Sequence, residues 1–173
     1  DQSGCYGVLI GFESINQASL KSVYKRYRQV DNFREIVDRF HAHHIAVNGC
    51  WVLGLDGDTE ESILAMPERI REIGCDLTRF AIMTPLPGSR MFDRLEEENR
   101  ILDYNWDHYD QRHAVFQPTN MTPRRLEELS ERVWSEAYSM SAVAGRVRNS
   151  ANRTLREKAY ILGANLGCKY LDL

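Results

Sequence analysis

Apolar residues follow two alternating rhythms along this chain, and the switching between them predicts the architecture. Three short, nearly unbroken runs stand out: "YGVLIGFES" (Tyr6 to Ser14), "IAVNGCWVLGL" (Ile45 to Leu55) and "LTRFAIM" (Leu77 to Met83). Their length and continuity are those of strands covered on both faces. Between them the period lengthens to that of a helix. Asn16 can cap a helix after the first run, and Phe33, Ile36, Val37 and Phe40 recur at helical spacing behind Asp31 or Asn32. Ile63, Met66 and Ile70 share one face of a helix that opens near Thr59 and closes at Gly74, with Asp58 and Glu61 spaced as a capping box. A further helix runs from about Ser89 to Glu98. Strands alternating with helices predict an α/β fold with parallel pairing.

After Glu98 the texture changes. "NRILDYNWDHYDQRHAVFQPTNMTPRR" mixes aromatic and polar residues with no helical period over most of its length. Thr122 and Pro123 then predict the cap and first position of a long helix with Leu126, Leu129, Val133, Trp134 and Ala137 on its apolar face. A last helix is expected over roughly Asn152 to Leu166, with Leu155, Ala159 and Leu162 inward. The chain therefore divides into residues 1–100, three βα units, and 101–173, an aromatic excursion with a helical extension.

Composition narrows the class without naming a chemistry. The 173 residues are 43% hydrophobic and 27% charged, enough for a real core. A net charge of −3 does not point to a nucleic-acid binder. No apolar run approaches the roughly 20 residues of a membrane span. Cys5, Cys50, Cys75 and Cys168 show neither disulfide density nor paired metal spacing, which predicts free thiols in a reducing, cytoplasmic setting.

The candidate chemistry gathers at the strand ends. Glu13-Ser14, Gly54 to Asp58, and Thr84 to Gly88 each place costly residues where a strand gives way to a helix, the region where α/β folds bind ligands. The loops at the opposite face, "HAHHI" and "EIGCD", are plainer. Glu13 fits a surface carboxylate, an Arg partner or an acceptor for a ligand's hydroxyl or amino group. Gly11, Gly49 and Gly54 fit packing or close approach to a ligand. Capping explains Asp58 beside Asp56 and Glu60 without a metal. His41, His43 and His44 suit a helix C-terminus. Trp106, Tyr109 and His113 fit either packing of the excursion or contact with a ligand. Arg124, Arg125, Arg146, Arg148, Arg153 and Arg156 read as a solvated face. In "TPLPGSRMF" two prolines stiffen the chain and Gly88 leaves room for another group.

Taken together, "GVLIGFESINQASLK", "VNGCWVLGLDGDTEES", "FAIMTPLPGSRMFDRLEEENRI" and "WDHYDQRHAVFQPTNMTPRRLEE" resemble the C-terminal half of a radical S-adenosylmethionine (SAM) enzyme. The likeness is to the cobalamin-binding group of anaerobic ring cyclases and hopanoid methylases. It implies the last three strands of a partial (β/α)6 TIM-like barrel, followed by a mainly helical extension. It implies SAM lying across the strand ends, with Glu13 and Ser14 near its ribose and methionine part. Val52, Leu53 and Gly54 would then lie near the adenine, and Thr84 and Pro85 beside it. Trp106, Tyr109 and His113 would belong to a substrate-side cap.

The family's CxxxCxxC loop and cobalamin segment do not occur in this sequence. The [4Fe–4S] cluster and cobalamin are therefore expected to have their ligands outside this chain, which is a fragment of a longer enzyme or a relic, inactive alone. The implied reaction of the full enzyme is reductive SAM cleavage that functionalises an unactivated carbon, by methylation or ring closure. The implied partners are a small molecule of lipid or tetrapyrrole class and the rest of the polypeptide, with no nucleic acid. The competing reading is a non-catalytic α/β interaction module that associates, homo-oligomers included, through open sheet edges.

Overall fold

The computed structural model describes residues 4–22, 30–149 and 154–170. Three parallel strands, β1 (Gly7–Glu13), β2 (Ala46–Leu53) and β3 (Leu77–Ile82), form one sheet in chain order. Gly7 pairs with Ala46, and Asn48 with Leu77, so all three strands run their C-terminal ends to the same edge. The connections are α1 (Gln17–Ser22) and α2 (Phe33–His41) after β1, then α3 (Glu60–Leu64) and α4 (Met66–Ile73) after β2. Beyond β3 come α5 (Arg90–Glu97), α6 (Pro123–Ala137), α7 (Met140–Asn149) and α8 (Leu155–Tyr170). The α/β class and parallel pairing expected from the sequence are present.

Among the described residues the strands are fully packed on one face only; on the other, Ala46 and Leu77 are buried near the strands' N-terminal ends and the rest is open or half-buried. Val47, Trp51, Leu53, Phe80 and Ile82 face the core, where they meet Phe33 and Val37 of α2, Ile63, Met66 and Ile70 of α3 and α4, and Leu126, Leu129 and Val133 of α6. Phe12 stacks on Trp51 at 5.1 Å and tilts against Phe33 at 4.6 Å. Gly49 leaves the space this packing uses, since a Cβ there would sit 2.9 Å from the Cys75 sulfur and 3.2 Å from the Trp51 ring. Alternation puts Leu9, Asn48, Cys50, Val52 and Arg79 on the opposite face. Leu9 is 66% exposed. A continuous apolar run signals a strand but does not report which neighbours cover it.

Local chemistry sets most of the helix boundaries. Thr122 caps α6 through the Arg125 N–H, with Pro123 as its first residue, and Ser89 caps α5 through the Phe92 N–H. The helix expected from Thr59 to Gly74 is two helices, broken at Ala65 where Pro67 follows and has no N–H to donate. Its start is capped by Thr59 and Ser62 reciprocally, not by Asp58 and Glu61. Gly74 closes α4 at φ +88°.

The C-terminal extension departs most from expectation. In α8 the buried residues are Ile161 and Asn165, while Leu155 is 85% exposed and Ala159 and Leu162 also lie outward. Asn152 and Arg153 lie outside the described residues. Arg146 of α7 is no solvated cation: it donates to Asn165 Oδ1 at 2.7 Å and lies over the Tyr138 ring. Asn165 in turn donates to the Asp76 carbonyl, and the buried Asp76 carboxylate accepts from Val47 N–H and meets His41 at 2.8 Å. The "EIGCD" loop is thus a built junction rather than a plain turn. Helical periodicity cannot reveal a face whose centre is an asparagine held by hydrogen bonds.

The outer edge of β3 is closed by side chain and loop. The Tyr138 hydroxyl accepts from Thr78 N–H and donates to Thr78 C=O, and Ile82 N–H donates to Gln111 C=O at 2.8 Å. Tyr138→Phe leaves two buried edge groups without their partner, so a loss of about 1–3 kcal/mol is expected in urea unfolding followed by circular dichroism.

Candidate functional site

Glu13 ends β1 in a conformation that its side chain disfavours. Its φ is +71°, and the Ser14 N–H donates to the Phe12 C=O at 3.0 Å, closing a three-residue γ-turn of the strained, positive-φ kind. The β1–β2 register slips between Gly11 and Glu13, so Glu13 pairs with Trp51 across a bulge. A left-handed residue that is not glycine costs about 1–3 kcal/mol and persists where the surroundings impose it, commonly at functional sites. Ser14 is buried, and its hydroxyl accepts from Asn16 N–H at 2.9 Å, so it organises the loop.

The loop after β2 is built around Asp58. This carboxylate is 5% exposed and accepts from Gly54 N–H and Leu55 N–H, both at 3.0 Å, and from the Ser19 hydroxyl at 2.6 Å. Burial pushes its pKa up despite these donors. Asn16 reaches across to the Gly57 C=O at 2.7 Å, joining the first strand-end loop to the second. Gly54 sits at φ +89°, and a Cβ there would lie 2.5 Å from Leu126, so core packing and backbone conformation account for the glycine. Leu53 points into the core; only Val52 of this trio turns its side chain to the uncovered face.

Asp56 carries a second network. It meets Arg94 at 2.7 Å and Arg100 at 3.0 Å and accepts from the Thr119 hydroxyl at 2.9 Å. Asn120 donates to the carbonyls of both Asp56 and Asp58. The acidic residues of this loop are therefore fasteners between α5, the 117–122 segment and the sheet.

The third strand end continues the ladder through Met83 N–H to Leu53 C=O at 2.9 Å. Pro85 is buried, and the Thr84 hydroxyl donates to Ile82 C=O. Leu86 to Ser89 then form a turn closed by Ser89 N–H to Leu86 C=O, with Pro87 second and Gly88 third at φ +80°. That is a type II turn, which explains the second proline and the glycine without a ligand. Pairing and ladder thus bring Glu13, Val52 to Gly54, and Thr84 to Pro85 to one edge of one sheet. On the uncovered face below them, Gly11, Cys50 and Arg79 are cross-strand neighbours. Burial raises the Cys50 pKa, opposed by Arg79 and reinforced by Glu13, so the three side chains share one environment. Sequence reasoning took Cys50 for a small buried packing residue and did not place it or Arg79 at the site, although counting alternate positions from Val52 and Ala81 would have found them.

Trp106, Tyr109 and His113 lie on the excursion along the outer edge of β3, where Gln111 C=O accepts from Ile82 N–H at the end of that strand. Trp106 is 56% exposed and tilts against Tyr109 at 4.8 Å, whose hydroxyl donates to Asp103 C=O. His113 meets Asp110 and borders a cavity of about 490 Å³ shared with Arg79, Phe80 and Trp134. Another cavity of about 490 Å³ lies at the N-terminal end of the strands, between Arg34, His41, Asp76 and Arg146. Cys75 borders it as a buried thiol pushed up to about 12, chiefly by desolvation. Among the described residues no three His, Cys, Asp or Glu side chains converge as a metal site. No described helix is long and apolar enough to cross a membrane.

No protein-family model matches the chain. It is similar to the bacteriochlorophyllide d C-12(1)-methyltransferase of Chlorobaculum tepidum, with 33% identity over 147 residues, 85% of this chain and 32% of that protein. The C-8(2)-methyltransferase of the same organism is 23% identical over 82% of this chain and 32% of its own length. The hopanoid C-2 methylase of Rhodopseudomonas palustris is 26% identical over 55% of this chain and 18% of its own length. The chain spans about a third of the length of the bacteriochlorophyllide relatives it matches. At a coarse level these similarities are to methyltransferases, and so to enzymes.

The Asp56 network has a defined pH signature. Burial alone would raise the Asp56 pKa, but Thr119, Arg100 and Arg94 together hold it below its ordinary 3.8. A depressed carboxylate stabilises the fold fully above that value and loses its contribution as pH falls through the lowered one. Asp56→Asn is expected to lower stability by on the order of 1 kcal/mol at neutral pH. In urea titrations its deficit against the unsubstituted chain should shrink below pH 3.8.

Proposed function

We propose that this chain is the C-terminal part of a radical SAM methyltransferase, supplying one side of the SAM site and the substrate-side cap. The observation that carries this reading is the strained Glu13 turn, aligned with Val52 and Thr84 at the C-terminal edge of a parallel sheet with one uncovered face. Similarity to methyltransferases over 85% of the chain supports it. Under this reading the uncovered face is the interior of a partial (β/α)6 barrel, completed by strands from elsewhere in the polypeptide.

The residues present fit SAM in part. The Glu13 carboxylate is an acceptor suited to ribose hydroxyls or to the methionine ammonium. Val52 offers an apolar contact for adenine, and the Thr84–Pro85 backbone is held rigid beside it. When bound, SAM supplies the methyl or radical chemistry that functionalises an unactivated carbon, here assigned to methylation. A [4Fe–4S] cluster does not fit this chain's own thiols: Cys5 is exposed, Cys75 buried, Cys50 in the sheet and Cys168 on α8. Among substrates, a tetrapyrrole macrocycle is favoured over a hopanoid, because both bacteriochlorophyllide relatives match more of the chain than the hopanoid methylase does.

Equilibrium dialysis with labelled SAM tests the reading. Weak, saturable binding is expected, and Glu13→Gly should weaken it about tenfold, roughly the worth of one charge-assisted hydrogen bond. The same variant should keep or raise the thermal midpoint, because glycine accepts the positive φ without strain. Binding unaffected by Glu13→Gly would overturn the assignment. Leu9, exposed on edge strand β1, favours the second reading of an association module. A dimer in size-exclusion chromatography that Leu9→Lys dissociates, without any SAM binding, would decide for it.

A further inference from the structure

The stretch from Leu102 to His113 carries surface that packing leaves unexplained. Leu102, Tyr104 and Trp106 are each more than half exposed. Beside them the rings of His108 and His113 lie 5.0 Å apart. Each imidazole has a carboxylate at Nδ1: Asp103 for His108, and Asp110, at 3.0 Å, for His113. With Nδ1–H donating to a carboxylate, Nε2 carries the lone pair, the arrangement found at metal-bound histidines.

The two rings are not equivalent. The hydrogen bond to Asp103 raises the His108 pKa and favours its imidazolium form, which has no lone pair to offer. His108 Nε2 also lies 3.5 Å from the Asn105 amide. His113 Nε2 has no partner among the described residues, and its ring borders the 490 Å³ cavity together with Arg79. Arg79 likewise has no hydrogen bond or ion pair among the described residues. The turn presenting His113 is fixed: Asp110 Oδ1 accepts from the Arg112 and His113 N–H groups at 2.8 and 3.1 Å, and Gln111 C=O is tied to β3.

One imidazole cannot hold a bare metal ion. A divalent metal already held by four ring nitrogens needs only one more donor. We propose that His113 Nε2 is the axial ligand to the central metal of a tetrapyrrole substrate, with Arg79 facing the carboxylates at the ring's periphery. This rests on the macrocyclic substrate proposed above and adds the contact that selects the metal-bearing form. His113 is a binding residue, and Asp110 a positioning residue that sets its tautomer.

Zinc protoporphyrin IX and metal-free protoporphyrin IX are the probes, titrated into the chain by absorbance. The zinc form should show a red-shifted Soret band and bind about tenfold tighter than the metal-free ring. His113→Ala should abolish both the shift and the preference while metal-free binding persists, and added imidazole should restore the shift. Asp110→Asn should weaken zinc-porphyrin binding on the order of tenfold. His43→Ala, at an exposed histidine elsewhere, should change nothing. Equal binding of both rings without a shift, or a shift that survives His113→Ala, would overturn the ligand assignment and leave the macrocyclic substrate standing. Binding of neither ring would overturn both.

Discussion

The Asp58 carboxylate, taken out of water in the loop after β2, is the constraint on which the strand-end architecture depends. A buried charge is tolerated only where donors surround it, and here two backbone N–H groups and the Ser19 hydroxyl do so. Those donors come from two different segments, the loop after β2 and helix α1. Satisfying one carboxylate therefore sets the position of α1 against the β2 loop. Asn16 to Gly57 and Asn120 to Asp58 extend the same junction to the 117–122 segment. The residues that look chemically richest in this loop hold it together, and the strained backbone falls to Glu13 beside it.

The sheet is asymmetric in a second way. Its β3 edge is closed by Tyr138 and Gln111, whereas β1 pairs only with β2 among the described strands and exposes Leu9. One face is packed with Trp51, Phe80 and the helices, and the other carries Cys50, Val52 and Arg79. A sheet finished on one edge and one face has a direction in which further structure can be added. That direction is shared by the exposed side chain of Leu9 and the Glu13 turn at the end of the same strand.

The excursion after α5 has a different logic. Its ends are fastened by Arg100 and by the Ile101–Phe116 bridge, and Ala114, Val115 and Phe116 enter the core. Between these anchors, Leu102 to His113 hold their shape through local carboxylate contacts rather than burial. Such a segment can display aromatic rings and imidazoles to a ligand without collapsing onto the body of the protein.

Much of this was legible in the sequence because it depends on local chemistry. The alternation of strand and helix, the Thr122–Pro123 start of α6, the Ser89 start of α5 and the Gly74 stop follow from backbone rules that neighbouring residues satisfy alone. The gathering of strand ends at one edge also followed, since parallel strands joined by helices must run the same way. Tertiary structure decided the rest. Which face of the sheet is covered, which side of α8 packs, and whether Asp58 caps a helix or clasps a loop depend on partners tens of residues away. Asn165 is buried because Asp76 and Arg146 meet it, and Gly54 is a glycine because Leu126 occupies its Cβ position. A one-dimensional pattern encodes what a residue prefers, and only the folded chain settles which groups are present to satisfy it.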